Sequence, residues 1–152
     1  MGNMTHKEKA LHYFSQELHC SQSLPAAFAA ECGITEEQAL RLGSCFGSGM
    51  RRGAVCGAVT GALMVLGFLY GQKSAGDTEG RQASNKVNDR MMELFKEKCG
   101  SYSCNDLLGC DITTEDGRTY CRNNNLFTDF CPRMVAVAVD IVEEIILEQK
   151  GV

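Results

Sequence analysis

The stretch GAVCGAVTGALMVLGFLYG, residues 53–71, carries no charged side chain over 19 positions. That is close to the length that crosses a bilayer, and Gly57 and Gly61 within it form a small-xxx-small pair of the kind that lets two helices approach closely. The run is either a membrane span or a helix that is apolar all round because other helices bury it. It is rich in glycine and alanine, no second span accompanies it, and the segments on either side have one apolar face each. It therefore reads as the buried central helix of a protein with no membrane span, and its reading decides the fold.

Outward from it, the pattern stays helical. On the N-terminal side, Leu11, Phe14 and Leu18 share the face of a first helix, and Ala27 and Phe28 anchor a second that Gly33 ends. Pro25 moves the expected start of that second helix toward Ser23, since proline lacks the N–H a helix interior needs. Thr35 and Gln38 form a capping box for a third helix ended by Gly43, and residues 44–53 make a glycine-rich turn into the central helix. On the C-terminal side, Asp77 or Thr78 caps a helix bearing Val87, Met91, Leu94 and Phe95 at helical spacing until Gly100. A brief turn follows at residues 105–109, and residues 111–130, rich in Asn, Asp, Thr and Gly, read as an irregular loop. Val135, Val137, Val139 and Ile141 alternate as a strand would. Length decides for a helix, because residues 134–147 contain neither Gly nor Pro and Pro132 suits a first turn. The expectation is an all-α bundle around the Gly/Ala-rich helix, one domain spanning residues 1–152.

Composition narrows the function. The chain has 152 residues, 44% hydrophobic and 22% charged with two prolines, which is the balance of a folded globular protein. A formal charge of -4 provides no basic surface for a nucleic-acid backbone. Nine cysteines stand in a chain whose first 14 residues are charged and lack the apolar stretch of a secretory signal, so a reducing, cytoplasmic setting is expected. Thiols at that density in such a setting serve redox chemistry, metal binding or small-residue packing more often than structural disulfides.

Four of the nine fall where helices are expected to begin: Cys20, Cys56, Cys104 and Cys131. A helix start offers unpaired amides and a positive dipole end, which favour a thiolate or an anionic metal–sulfur group. The dipole is worth roughly 0.3 to 1 kcal/mol, less than about one pKa unit, so a metal or a cation such as Arg51 or Arg52 beside Cys56 would have to supply the rest.

Those positions carry a resemblance. Cys20 in HCSQS, the run GxxCGAVTGALMVLG over residues 53–67, Cys104 in SCNDLLG and Cys131 in CPRMV together resemble the redox-active protein family named for its C, GCAxxG, C, C pattern. The likeness covers most of the chain. The order here is Cys56, Gly57, Ala58, with the cysteine ahead of the glycine, and one residue turns a helix by about 100°, so the direction of Cys56 is not given by the motif. The resemblance implies a small helical cytoplasmic protein, of a kind common in anaerobic microbes, with a redox role inferred from its cysteines.

Elsewhere the signals are weak. Cys99, Cys104 and Cys110 form C-x4-C and C-x5-C spacings that would gather three sulfurs, without the C-x2-C of zinc ribbons or thioredoxin-like dithiols. Cys32 and Cys45 read as small core residues. His6, His12 and His19 read as surface side chains, although His19 adjoins Cys20. The turn GSGMRRG, residues 47–53, lacks the Lys-Ser/Thr of a phosphate loop, and Glu143, Glu144 and Glu148 read as the solvated face of the last helix.

The expectation is that Cys20, Cys56, Cys104 and Cys131 converge on one redox site. They would act either by thiol/disulfide exchange or as ligands of an iron–sulfur cluster that carries electrons. The alternative is a non-catalytic protein binding zinc or copper, or using its cysteines only for structure. The partners expected are a redox protein or a small thiol, not nucleic acid, with homo-oligomerisation left open.

Overall fold

The computed structural model describes residues 3–151. Helix α1, His6–Ser15, opens on a capping box in which Thr5 Oγ1 accepts the Glu8 amide at 3.1 Å and Glu8 Oε1 accepts the Thr5 amide at 3.2 Å. It ends earlier than its apolar spacing implied: Glu17 adopts a left-handed φ of 63°, so Leu18 lies beyond the helix it was expected to extend.

The expected second helix is two. Helix α2, Cys20–Ala27, and helix α3, Ala29–Cys32, meet at a kink at Phe28 (φ -106°, ψ 14°), which turns the Phe28 ring into the core and stacks it on His6 at 4.0 Å. Helix α2 begins at Cys20 rather than near Ser23. The His19 amide donates to Gln22 Oε1 at 2.9 Å and the Ser23 hydroxyl to the His19 carbonyl at 2.9 Å, so the first turn is held by side chains. Pro25, carried inside the helix, removes one rung of its ladder. Gly33, at φ 72°, ends α3 as expected, and the Thr35–Gln38 box starts α4, Glu36–Gly43.

A tight π-type turn at Gly49–Gly53 leads into α5, Gly57–Tyr70, the central apolar helix. Helix α6, Thr78–Cys99, is capped by Asp77, whose Oδ1 accepts the Gly80 amide at 2.9 Å, and is stopped by Gly100. Helix α7, Cys104–Leu108, is capped by Ser103.

The segment expected to be irregular contains helix α8, Glu115–Asn123, followed by a π-type turn, Leu126–Phe130. Thr114 caps α8 through the Gly117 amide at 2.9 Å, and Glu115 and Asp116 suit the first turn. The helix buries only Gly117 and Cys121, which is why no apolar period marks it. Helix α9, Cys131–Gln149, carries Pro132 in its first turn.

The all-α expectation holds. Helix α5 packs against α2, α6 and α9, with α1 lying across α2 and α9. The core between them holds Leu24, Phe28, Val59, Val65, Leu66, Met91, Phe95 and the inward row Val135, Val139, Val142 of α9. No helix among the described residues is long and apolar enough to cross a membrane. The uncharged run is instead shared between the turn and the 14 residues of α5.

Candidate functional site

Two backbone devices bring the starts of α2, α5 and α7 together. The first is glycine. A Cβ on Gly57 would stand 2.5 Å from Cys20 Sγ, and one on Gly61 3.0 Å from Leu24 Cβ and 3.2 Å from Pro25 Cδ, so the small-residue stripe of α5 is the surface on which α2 lies. The second is an isolated antiparallel bridge between Val55 and Ser103. Its flanking bonds, Cys56 N–H to the Tyr102 carbonyl at 2.8 Å and Cys104 N–H to the Ala54 carbonyl at 2.6 Å, fix the backbones of two cysteines against one another.

The four cysteines expected at helix starts are there. Cys20, Cys104 and Cys131 are the first residues of α2, α7 and α9, and Cys56 is the N-cap of α5. All four line one small cavity of about 30 Å³, closed by Gly57, Leu107, Leu108, Phe130 and Met134. Cys56 and Cys104 are buried, at 8% and 9% exposure, whereas Cys20 and Cys131 are half-buried.

The four differ electrostatically. Cys56 is held below the ordinary thiol range by the neighbouring Cys20 thiol first, and by the Ala58 and Val59 amides at the start of α5, which together outweigh burial. Cys20 is pushed well above that range by its interaction with Cys56, by burial and by the neighbouring sulfur charges, that of Cys56 first. Burial, then the Cys56 charge, pushes Cys104 and Cys131 up to about 12 each. Of the four sulfurs, Cys56 is thus the one that ionises most readily. Arg51 and Arg52, weighed from sequence as the cations acting on Cys56, are exposed and contribute nothing to it; protein amides and a neighbouring thiol do that work.

A wider groove of about 600 Å³ opens beside the small cavity. Leu11, Phe14, Leu18 and Phe127 form its apolar walls, Glu17, His19 and Ser48 contribute polar groups, and Cys20, Cys104 and Cys131 line it as well. Cys56 lines only the inner cavity. The size is that of a small-molecule or peptide-side-chain site. His19, set aside from sequence, is thus a groove residue, its ring so close to Gly47 that a Cβ there would stand 2.3 Å from Nδ1. His6 is tied to Glu31 at 2.6 Å on the opposite end of α1 and takes no part.

The remaining cysteines divide. Cys32 packs against the core as expected, but Cys45 is exposed, next to the exposed Ser44 that follows α4. The C-x4-C and C-x5-C spacings do not gather their three sulfurs. Cys99 packs on the main core, where burial and the Cys56 charge push it up, while Cys110 faces Cys121 at a sulfur–sulfur distance of 3.1 Å. Sequence reading missed that pair, since α8, which carries Cys121, has no periodic signal. It also missed the part of the Ala58 and Val59 amides, although a cysteine at an N-cap is itself the cue.

Among the described residues no three His, Cys, Asp or Glu side chains are grouped as around a metal ion. A family model described as "Putative redox-active protein (C_GCAxxG_C_C)" matches residues 18–145. No curated protein and no solved structure matches the chain.

Proposed function

The chain belongs to the redox-active protein family of the C, GCAxxG, C, C pattern, and from that premise we propose that it works by thiol–disulfide exchange at Cys20 and Cys56. The observation that supports this reading is the seat of the Cys20 sulfur on Gly57, the residue next to Cys56, where both cysteines line one buried cavity and Cys56 is the more readily ionised of the two. Such a pair stores a proton and a nucleophile next to each other.

The exchange balances as follows. A disulfide RSSR′ enters the groove and meets Cys20, whose sulfur attacks one sulfur of RSSR′ while its proton passes to Cys56. A mixed disulfide forms between Cys20 and R, and R′S⁻ leaves. Cys56 returns the proton to R′S⁻ and attacks the Cys20 sulfur, forming the Cys20–Cys56 disulfide and releasing RS⁻. Two protein sulfurs are oxidised and one substrate disulfide is reduced to the thiol R′SH and the thiolate RS⁻, which takes its proton from water. Cys104 and Cys131, held protonated beside the pair, are positioned to resolve a mixed disulfide from the other side. The substrate class is a small disulfide or a disulfide exposed on a protein partner, both of which fit an apolar groove with a polar rim.

A second reading uses the same four sulfurs as soft ligands of an iron–sulfur cluster, zinc or copper. The donor set is of the right chemistry. The fit is poor as the sulfurs stand, for they are not grouped around a metal position and the cavity between them, about 30 Å³, holds about one water-sized particle. A cluster would need the helix starts to part.

One preparation separates the readings. Protein purified without oxygen is examined by absorption spectroscopy and metal analysis, then oxidised with excess oxidised glutathione, alkylated and mapped. The exchange reading expects a colourless, metal-free protein that gains a Cys20–Cys56 cross-linked peptide, lost in Cys20→Ser and Cys56→Ser. Bands between about 320 and 460 nm that dithionite bleaches, or one metal bound per chain, would overturn it in favour of the second reading.

A further inference from the structure

We propose a second redox centre, the dithiol Cys110 and Cys121, which closes into a disulfide when it meets a low-molecular-weight or protein disulfide. It lies outside the four family positions and stands independently of the function proposed above.

The geometry is specific. The two sulfurs stand 3.1 Å apart, so about 1 Å of movement forms the bond of about 2.05 Å. The segment between them is pinned at its Cys110 end. Asn105 Oδ1 accepts the Ile112 amide at 2.9 Å, Asp111 Oδ1 accepts the Thr113 amide at 2.9 Å, and the Thr114 hydroxyl bonds the Asp111 carbonyl at 2.9 Å. A Cβ on Gly117 would stand 1.8 Å from the Asp111 carbonyl oxygen, so glycine is what allows α8 to fold back until Cys121 meets Cys110. The Cys110 thiol also reaches the Gly117 carbonyl at 3.5 Å. An ordinary packed cysteine requires none of this, since one buried thiol needs no partner at sulfur contact.

Exposure assigns the roles. Cys121 is fully buried and Cys110 is half-buried, so Cys110 is the sulfur an incoming disulfide reaches. The Cys110 thiolate attacks RSSR, a Cys110–SR mixed disulfide forms and one RS⁻ leaves. Cys121 then attacks the Cys110 sulfur and the second RS⁻ leaves, the two thiol protons passing to the two RS⁻. Two protein thiols are oxidised and one external disulfide is reduced. The pair shares a small apolar cluster with Cys104 and Cys131, packed by Leu108, Phe127 and Phe130, so its state bears on the wall of the first site.

The test uses the full chain with oxidised glutathione as the probe, under argon, with free thiols blocked by N-ethylmaleimide before unfolding and digestion. Trypsin isolates Cys121 on residues 119–122, while Cys110 lies on residues 99–118 with Cys99 and Cys104. The expected product is residues 119–122 joined to residues 99–118, with fragmentation placing the bond on Cys110, in most of the chains and equally in the Cys20→Ser/Cys56→Ser double variant. In Cys121→Ser the expected product is glutathione retained on Cys110, with helicity unchanged. Recovery of residues 119–122 with maleimide on Cys121 after treatment that oxidises the other site, or its linkage to Cys104 or Cys131, overturns the proposal. Because the two sites lie on different peptides, failure of one is read separately from failure of the other.

Discussion

Gly57 shows how much a missing methyl group can decide. Its neighbour Cys56 owes its lowered pKa first to the Cys20 thiol, and that thiol reaches it only because nothing projects from residue 57. Gly57→Ala is expected to destabilise the fold by about 1–3 kcal/mol, as overpacking does, and to move thiolate formation at Cys56 back toward the ordinary thiol pKa. Thiolate absorbance near 240 nm followed against pH in Cys-to-Ser backgrounds that retain Cys56 reads the second effect. An unchanged titration would mean that Cys20 is not what holds Cys56 down. At this scale the sequence was informative about position and mute about direction. Cysteines at the starts of α2, α5, α7 and α9 were readable from caps and turns, but the inward aim of Cys56 depends on the bridge at Val55 and Ser103, which pairs residues with no local signal connecting them.

At the level of elements, boundaries that rest on capping chemistry were legible and those that rest on tertiary contact were not. Thr35 with Gln38, and Asp77, mark real helix starts, because the bonds they make are local. The kink at Phe28 depends on a ring finding the core, and α8 depends on Gly117 and Cys121 meeting a partner, so neither has a period to detect. The central helix allows a paired test. Gly61→Leu intrudes on Leu24 and Pro25 and is expected to cost about 1–3 kcal/mol in urea denaturation. Gly67→Ala, on an open face of the same helix with no atom within 4 Å of the added Cβ, is expected to stabilise by about 0.5–1 kcal/mol. Equal effects of opposite expectation would show that α2 does not rest on the glycine stripe.

For the molecule as a whole, buried thiols set an alkaline limit. Cys104, Cys121 and Cys131, each pushed up to about 12, stay protonated in the native state while the unfolded chain ionises near 9, so between those values the unfolded state binds fewer protons and stability falls as pH rises. Urea midpoints at pH 7, 9 and 10.5 are expected to decline in the wild type and to decline less in Cys104→Ser/Cys131→Ser. An equal decline would place the sensitivity on other groups. The arrangement also has a meaning for biosynthesis. The sulfurs that share the 30 Å³ cavity come from helices that begin at residues 20, 56, 104 and 131, and meet only through long-range packing. A chain caught halfway through folding holds the same thiols as solitary, unremarkable side chains, so reactivity arrives together with the finished tertiary structure and acts as its certificate.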